Sequence, residues 1–423
     1  MRRRSVTLTL PPAGRLRQRW ELPNGIRIIA EHIPSAYSVA LGVWVLAGSR
    51  DEDPSFNGLA HLLEHLVAGY SQRHTSRQLA FAFERLGTEV NAYTTKEAVC
   101  YSAQTLRPHV PQVMKLIATQ LMHPRLTKHL LERERRVIAE EILTYADDPE
   151  EVLYEQAETL LLGNHPLGMP IAGTPESLQR IALEDVATFH SRFYVGERIL
   201  VTIAGDVVPE EAATAVAYAF GNIPQLREPL PPRFPPAPQP AQERTLQRPL
   251  HQAHILFARL LPKMSPNERS AVTLLNFLLG EGWGSRLYQR IRERSGLVYT
   301  IASELEWFSD CGIWSISAST SPSSLHRVER LIQEELRRIS EYGIREDELL
   351  RGRTALQARL AMILDNPTEC TTLLAHTATE NASAPFAFQS LLDLSRDTAC
   401  LFASRYCQPE QWSRVRFLPT QHA

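Results

Sequence analysis

The sequence predicts an α+β protein made of two homologous α/β-roll halves. Each half is expected to be an antiparallel sheet with helices packed on one face, and a Pro-rich linker joins the two. Three observations carry this. The chain has 423 residues, 43% hydrophobic and 22% charged, enough for two cores of ordinary size. Residues 224–240, PQLREPLPPRFPPAPQP, hold eight of the 29 prolines and read as a stiff extended connection. The order of strand-like and helix-like runs before this break recurs, more loosely, after it. The expected domains are therefore 1–223 and 246–423, with 224–245 between them.

The first half opens with strand-like runs over 25–30 and 39–46. A short helix is expected over 58–68, stopped by Gly69, and a second from Thr75, where Thr75 and Gln78 form a capping box. Alternating stretches over 89–94 and 99–106 read as a hairpin. Helices follow over 110–122, 127–146, 149–162 and 183–193, and a strand over 199–204 closes the half. In the second half a strand over 254–260 leads to a helix over 267–279. Strands over 298–306 and 312–318 and helices over 325–341 and from Glu346 complete the repeat.

Composition excludes several classes. With 45 basic and 47 acidic residues the net charge is −2, so no basic surface for nucleic acid is expected. Five cysteines without CxxC spacing fit neither a disulfide framework nor a cysteine zinc site, and a reducing compartment suits them. No apolar run is long enough to span a membrane. The N-terminus is Arg-rich with no acid before Glu21 but is broken by Pro11 and Pro12 and followed at once by folded-looking sequence. No signal peptide is read, and a cytoplasmic bacterial location is expected.

The chemistry concentrates at His61-Leu62-Leu63-Glu64-His65. On a helix, positions i and i+4 share a face, so both imidazoles can reach one metal ion. At 100° per residue, Glu64 and His65 lie within about 60° and 40° of His61. Leu59, Leu62, Leu63, Leu66 and Val67 take the other side. A catalytic zinc requires a third protein ligand and an open position. The helix over 127–146 has an apolar stripe of Leu130, Leu131, Val137, Ile138, Ile142 and Tyr145, and Glu134 and Glu141 fall inside it. A carboxylate on such a stripe is costly unless paired or bound to metal, so both are candidates. Glu64, next to a ligand and not needed as one, is the candidate base that activates a water and returns its proton to the leaving amine. The other histidines have no ligand spacing, and the second half has no HxxEH, so one zinc per chain is expected.

The stretches GLAHLLEH, RLGTEVNAYTTKEAVCY and ERRVIAEEI, with LPNGIRI at 22–28, AGSRDE at 47–52 and HPLGMPIAG at 165–173, resemble the M16 family of inverted-motif zinc metallopeptidases. That family includes the mitochondrial processing peptidases, pitrilysin and insulin-degrading enzyme. The resemblance implies His61, His65 and Glu141 as metal ligands, with Glu134 as the accessory acid, and it covers most of the first half. Arg292 and Tyr299 match the family's RxxxGLxY segment, implied to hold substrate carbonyls and stabilise the oxyanion. Asn91, Ala92, Tyr93 and Thr94 resemble its NAxT edge strand, on which a peptide pairs as an added strand. The run after HLLEH, LVAGYSQRH, departs from the family's usual Phe-Lys-Gly-Thr.

The expected function is a zinc-dependent endopeptidase acting on unfolded peptides or short precursors. The family's chamber needs four such domains, so a homodimer or a heterodimer with a paralogous subunit is expected to close it. The alternative is a non-catalytic core or assembly subunit sharing the fold.

Overall fold

The computed structural model describes residues 14–227, 229–230, 232–379, 390–391 and 393–420. The Arg-rich start of the chain, and Glu228 and Pro231 of the expected linker, lie outside the described residues. By contact the chain forms two units. The first takes the chain up to Ile142, then Met169–Pro232, then the stretch from Arg359; the second takes Leu143–Gly168, Arg233–Ala358 and the C-terminal stretch.

The first unit is built on β1 (Leu16–Glu21), β2 (Arg27–His32), β3 (Val39–Val45), β4 (Glu89–Thr94), β5 (Val99–Thr105) and β6 (Ile199–Gly205). Their order across the sheet is β1-β2-β6-β3-β5-β4. Here α1 (Leu59–Gly69), α2 (Ser76–Glu84), α3 (Val110–Met122), the greater part of α4 (Lys128–Asp147), α6 (Pro175–Arg180), α7 (Leu183–Phe193) and α8 (Pro209–Phe220) belong to this unit, while α5 (Pro149–Leu162) belongs to the second. The capping box expected at Thr75 is formed: Thr75 N–H donates to Gln78 Oε1 at 2.8 Å, and Gln78 N–H to Thr75 Oγ1 at 3.3 Å.

In the second unit, β7 (Glu243–Arg248), β8 (Ala253–Pro262), β9 (Val298–Trp307), β10 (Cys311–Thr320) and β11 (Ser413–Pro419) lie in the order β7-β11-β8-β10-β9. With them go α9 (Pro266–Gly280), α10 (Leu325–Tyr342), most of α11 (Glu346–Asp365) and α13 (Arg396–Tyr406); α12 (Pro367–Thr379) belongs to the first unit. The run β7-β11-β8-β10-β9 has the same pairing as β2-β6-β3-β5-β4, down to the parallel or antiparallel direction of each pair. In both, the late strand enters parallel to the first and antiparallel to its other neighbour. The two halves are thus built alike, as the repeated order of elements implies.

Two features differ from expectation. Each sheet is mixed rather than wholly antiparallel, because the last strand arrives after a run of helices and inserts parallel to β2 in one sheet and to β7 in the other. Each sheet is also covered on both faces. Strand side chains alternate: Ile28, Val43, Val45 and Val201 join the main helical core, while Ile29, Trp44 and Leu200 meet Leu364, Cys370, Leu374 and Ala375 on the other side. In the second unit, Leu256, Ala258, Ile313, Val415 and Phe417 meet Val152, Leu153, Ala157, Leu160 and Leu161 of α5. Among the described residues no helix is long and apolar enough to cross a membrane.

Leu374 is fully buried against the first sheet. Leu374→Ala is expected to lower stability by about 2–5 kcal/mol, the usual cost of truncating a closely packed leucine. Chemical denaturation of the two proteins measures it.

Candidate metal centre

The site begins at the N-terminus of α1. Gly58 takes φ +96, and a Cβ there would meet the Ala172 carbonyl oxygen at 2.7 Å. The first amides of the helix are satisfied by one side chain. Glu52 Oε2 accepts from Gly58 N–H at 2.8 Å and from Asn57 Nδ2 at 3.0 Å, and Glu52 Oε1 accepts from Ala60 N–H at 2.6 Å. Burial pushes this carboxyl up to about 8, while the donors from Ala60, Asn57 and Gly58 pull the other way. The stretch 170–173 closes on the same point. Asn57 Nδ2 also donates to Pro170 O at 2.9 Å, and Gly173 is required because its Cβ would meet Asn57 O at 2.4 Å. At the far end of α1, Gln120 of α3 donates to the carbonyls of Val67 and Ala68, at 3.3 and 2.7 Å. Both helix ends are thus tied by side chains from elsewhere, which compensates for groups the helix cannot satisfy alone.

Between these ends, α1 turns His61, Glu64 and His65 toward α4. The Nε2 atoms of His61 and His65 each lie 3.7 Å from Glu141 Oε2. One ligand atom from each of these three residues falls within 4.8 Å of the others. Ligands about 2 Å from a tetrahedral zinc are separated by about 3.3 Å, so the three fit one ion with little adjustment. Glu64 Oε2 is 3.9 Å from His61 Nε2 and accepts from Thr94 Oγ1 at 3.2 Å. Glu134 lies behind His65, its Oε2 3.2 Å from Nδ1, and accepts from the Tyr70 hydroxyl on Oε1 at 2.9 Å.

The electrostatics agree with a cation site. Burial, helped by the neighbouring His65, lowers His61 to about 4, which leaves its lone pair free to bind. Its Nδ1 is buried without a hydrogen-bond partner among the described residues. Burial also works against charge on His65, but the Glu134 hydrogen bond and nearby carboxylates outweigh it and raise the group. Burial raises Glu64, with His65 and Thr94 opposing. For Glu134 burial pulls upward, but the bonds from His65 and Tyr70 prevail and lower it. Three carboxylates around two imidazoles, one of them held neutral, form a cluster that a divalent cation would neutralise.

The sequence-expected residues are distributed as follows. His61, His65 and Glu141 converge with Glu64, and Glu134 stands behind His65 rather than among the three. Asn91, Ala92, Tyr93 and Thr94 lie on β4, which among the described residues pairs only with β5 and is the sheet's edge. Only Thr94 of these four bonds to the cluster. The Tyr93 ring packs edge-on to Trp44 at 6.1 Å, toward the sheet's opposite face, and its hydroxyl meets Cys100. Arg292 and Tyr299 belong to the second unit. Arg292 sits on a π-helix, Tyr288–Glu293, with its guanidinium 4.9 Å from the Tyr288 ring and 5.5 Å from that of Tyr299, which is 73% exposed. Sequence reasoning missed Glu52, Tyr70, Gln120 and Tyr288. Glu52 lies inside the AGSRDE motif and was within reach; Tyr70 had only the unusual stretch after HLLEH to mark it.

Residues 27–175 match the family model described as insulinase (peptidase family M16), and residues 180–356 the one described as the peptidase M16 inactive domain. The chain is 35% identical over 351 residues to an uncharacterized zinc protease of Mycobacterium leprae, covering 82% of this chain and 79% of that protein. In fold it is similar to a protease from Helicobacter pylori, with TM-score 0.87, 21% identity and coverage of 96% and 99% of the two chains. It is likewise similar to a peptidase M16 inactive domain from Pseudomonas fluorescens, with TM-score 0.88, 20% identity and coverage of 96% and 98%.

Gly58→Ala is expected to destabilise the protein by about 1–3 kcal/mol, because the new Cβ meets both an unfavourable φ and a backbone oxygen. Thermal unfolding of the metal-free protein reads the loss.

Proposed function

Because the chain belongs to peptidase family M16, we propose that it is a zinc-dependent endopeptidase for unfolded peptides or short precursor proteins. The observation that carries this is the convergence of His61 Nε2, His65 Nε2 and Glu141 Oε2, with the Glu64 carboxylate beside them. His61, His65 and Glu141 would hold one zinc per chain. When bound, zinc supplies Lewis-acid charge that polarises a scissile carbonyl and eases deprotonation of water.

The side chains of this chain do the rest. Glu64 takes a proton from the attacking water on one carboxylate oxygen and delivers it to the leaving amine. Burial, which raises its affinity for a proton, suits it to both acts. Thr94 holds Glu64 Oε2 and so fixes the plane of the carboxylate. Glu134 fixes the tautomer and orientation of His65 by accepting from Nδ1, leaving Nε2 to bind. The open edge of β4, from Asn91 through Ala92 and Tyr93 to Thr94, offers main-chain groups to an extended peptide, which favours unfolded substrates over folded ones. Arg292 and Tyr299 would hold substrate carbonyls and the developing oxyanion. Closure of the reaction chamber would come from pairing with a second copy or a paralogue.

Glu64→Gln is expected to keep its zinc and lose about 10²–10⁴-fold in kcat on a quenched peptide. Glu141→Gln is expected to lose the metal itself. A chelator should abolish cleavage by the unmodified protein, and added zinc should restore it. Metal analysis alongside the peptide assay reads all three; cleavage that survives both the chelator and the Glu64 substitution overturns the proposal.

A further inference from the structure

The stretch that departs from the family pattern, Leu66–His74, leaves α1 at Tyr70, whose backbone turns to φ −147. This exit is firmly held. Gln120 takes the carbonyls of Val67 and Ala68, Ser71 forms a bridge with Pro124, and Gln72 N–H donates to His123 O at 2.8 Å. From this fixed point the Tyr70 hydroxyl reaches Glu134 Oε1 at 2.9 Å. The Arg133 guanidinium lies over the Tyr70 ring at 5.7 Å and its Nε is 3.7 Å from the same carboxylate oxygen.

A glutamate that meets a histidine through one oxygen alone can still rotate about its last torsion, and the imidazole rotates with it. Here both oxygens are engaged, one by His65 Nδ1 and the other by Tyr70. We propose that Tyr70 is a positioning residue of the metal centre: its hydroxyl locks the Glu134 carboxylate, which in turn locks the ring of His65 with Nε2 aimed at the ion. This rests on the zinc reading above and adds to it a residue that the HxxEH motif does not contain. The hydroxyl, not the ring, carries the role, since the ring has packing of its own against the helical core.

The test is zinc affinity, measured by competition with a chelator on the full chain, for the unmodified protein, Tyr70→Phe, Glu134→Gln and the double variant. Tyr70→Phe keeps the ring and is expected to bind zinc about 3–10-fold more weakly, with an unchanged melting temperature when metal-free. Glu134→Gln is expected to lose about 10–100-fold, the usual effect of removing a partner behind a metal-bound histidine. If Tyr70 acts through Glu134, the double variant matches Glu134→Gln alone. In peptide cleavage Tyr70→Phe should lower kcat and leave KM in place. A Tyr70→Phe affinity within twofold of the unmodified protein overturns the inference, as does a double variant that loses the product of the two single effects. An unmodified chain that takes up no zinc overturns the proposed function instead, before the variants are compared.

Discussion

The candidate site depends on one buried carboxylate. Glu52 accepts three hydrogen bonds at the start of α1, and His61, Glu64 and His65 inherit their positions from that helix. A short helix with histidines and a glutamate on one face has little intrinsic stability. Here Leu62, Leu63, Leu66 and Val67 anchor one side, fully buried. One end is set by Glu52, close by in sequence, and by the distant 170–173 stretch, and the other by Gln120 of α3. The glycines at 58 and 173 follow from this closeness: backbone meets backbone where a Cβ has no room.

The second constraint is charge. Glu64 and Glu134 are buried, and Glu141 is partly exposed. Such groups are tolerated only where each finds a partner. Glu134 has His65 and Tyr70, and Glu64 has Thr94. Glu141 faces two imidazole nitrogens at 3.7 Å, too long for a hydrogen bond and suited to ligands around a common ion. The cluster gathers carboxyl and imidazole groups within reach of one another, a donor set of the kind that metal sites hold. Folding energy spent on assembling it would be recovered on binding a cation.

Much of this was legible in the sequence, for definite reasons. Helices over 110–122, 149–162 and 183–193 have the bounds expected, because each has clear boundary residues and an apolar stripe. His61, Glu64 and His65 share one face because their relation is local, and Glu134 interrupts a stripe that is buried at Leu130, Leu131 and Ile138; the same stripe does not continue as core to Glu141, since Val137 and Tyr145 are exposed. The double covering of the sheets was missed, although β3, VALGVWV, and β6, ILVTIAG, are apolar without alternation and buried throughout. Strands of that kind belong in sheets with two covered faces. The helix that does the covering, α12, reads PTECTTLLAHTAT, too rich in threonine to announce itself as core. Tyr70 was illegible for another reason: its partner lies 64 residues away with no periodic link between them.

Unpaired strand edges are a hazard that folded proteins normally blunt with charge, proline or cover. The β4 edge keeps only Glu89 as a charged residue within Glu89–Thr94, and its far end runs directly to the carboxylate of Glu64 through Thr94. An edge unpaired among the described residues that ends at a buried, proton-hungry carboxylate is costly for stability alone and reasonable for a site that captures extended chains. Main-chain pairing of that kind reads conformation rather than side-chain identity. On the proposed reading, the β4 edge would therefore select for extended chains, and any preference for a particular residue at the cleavage point must come from side chains around the cluster rather than from β4 itself.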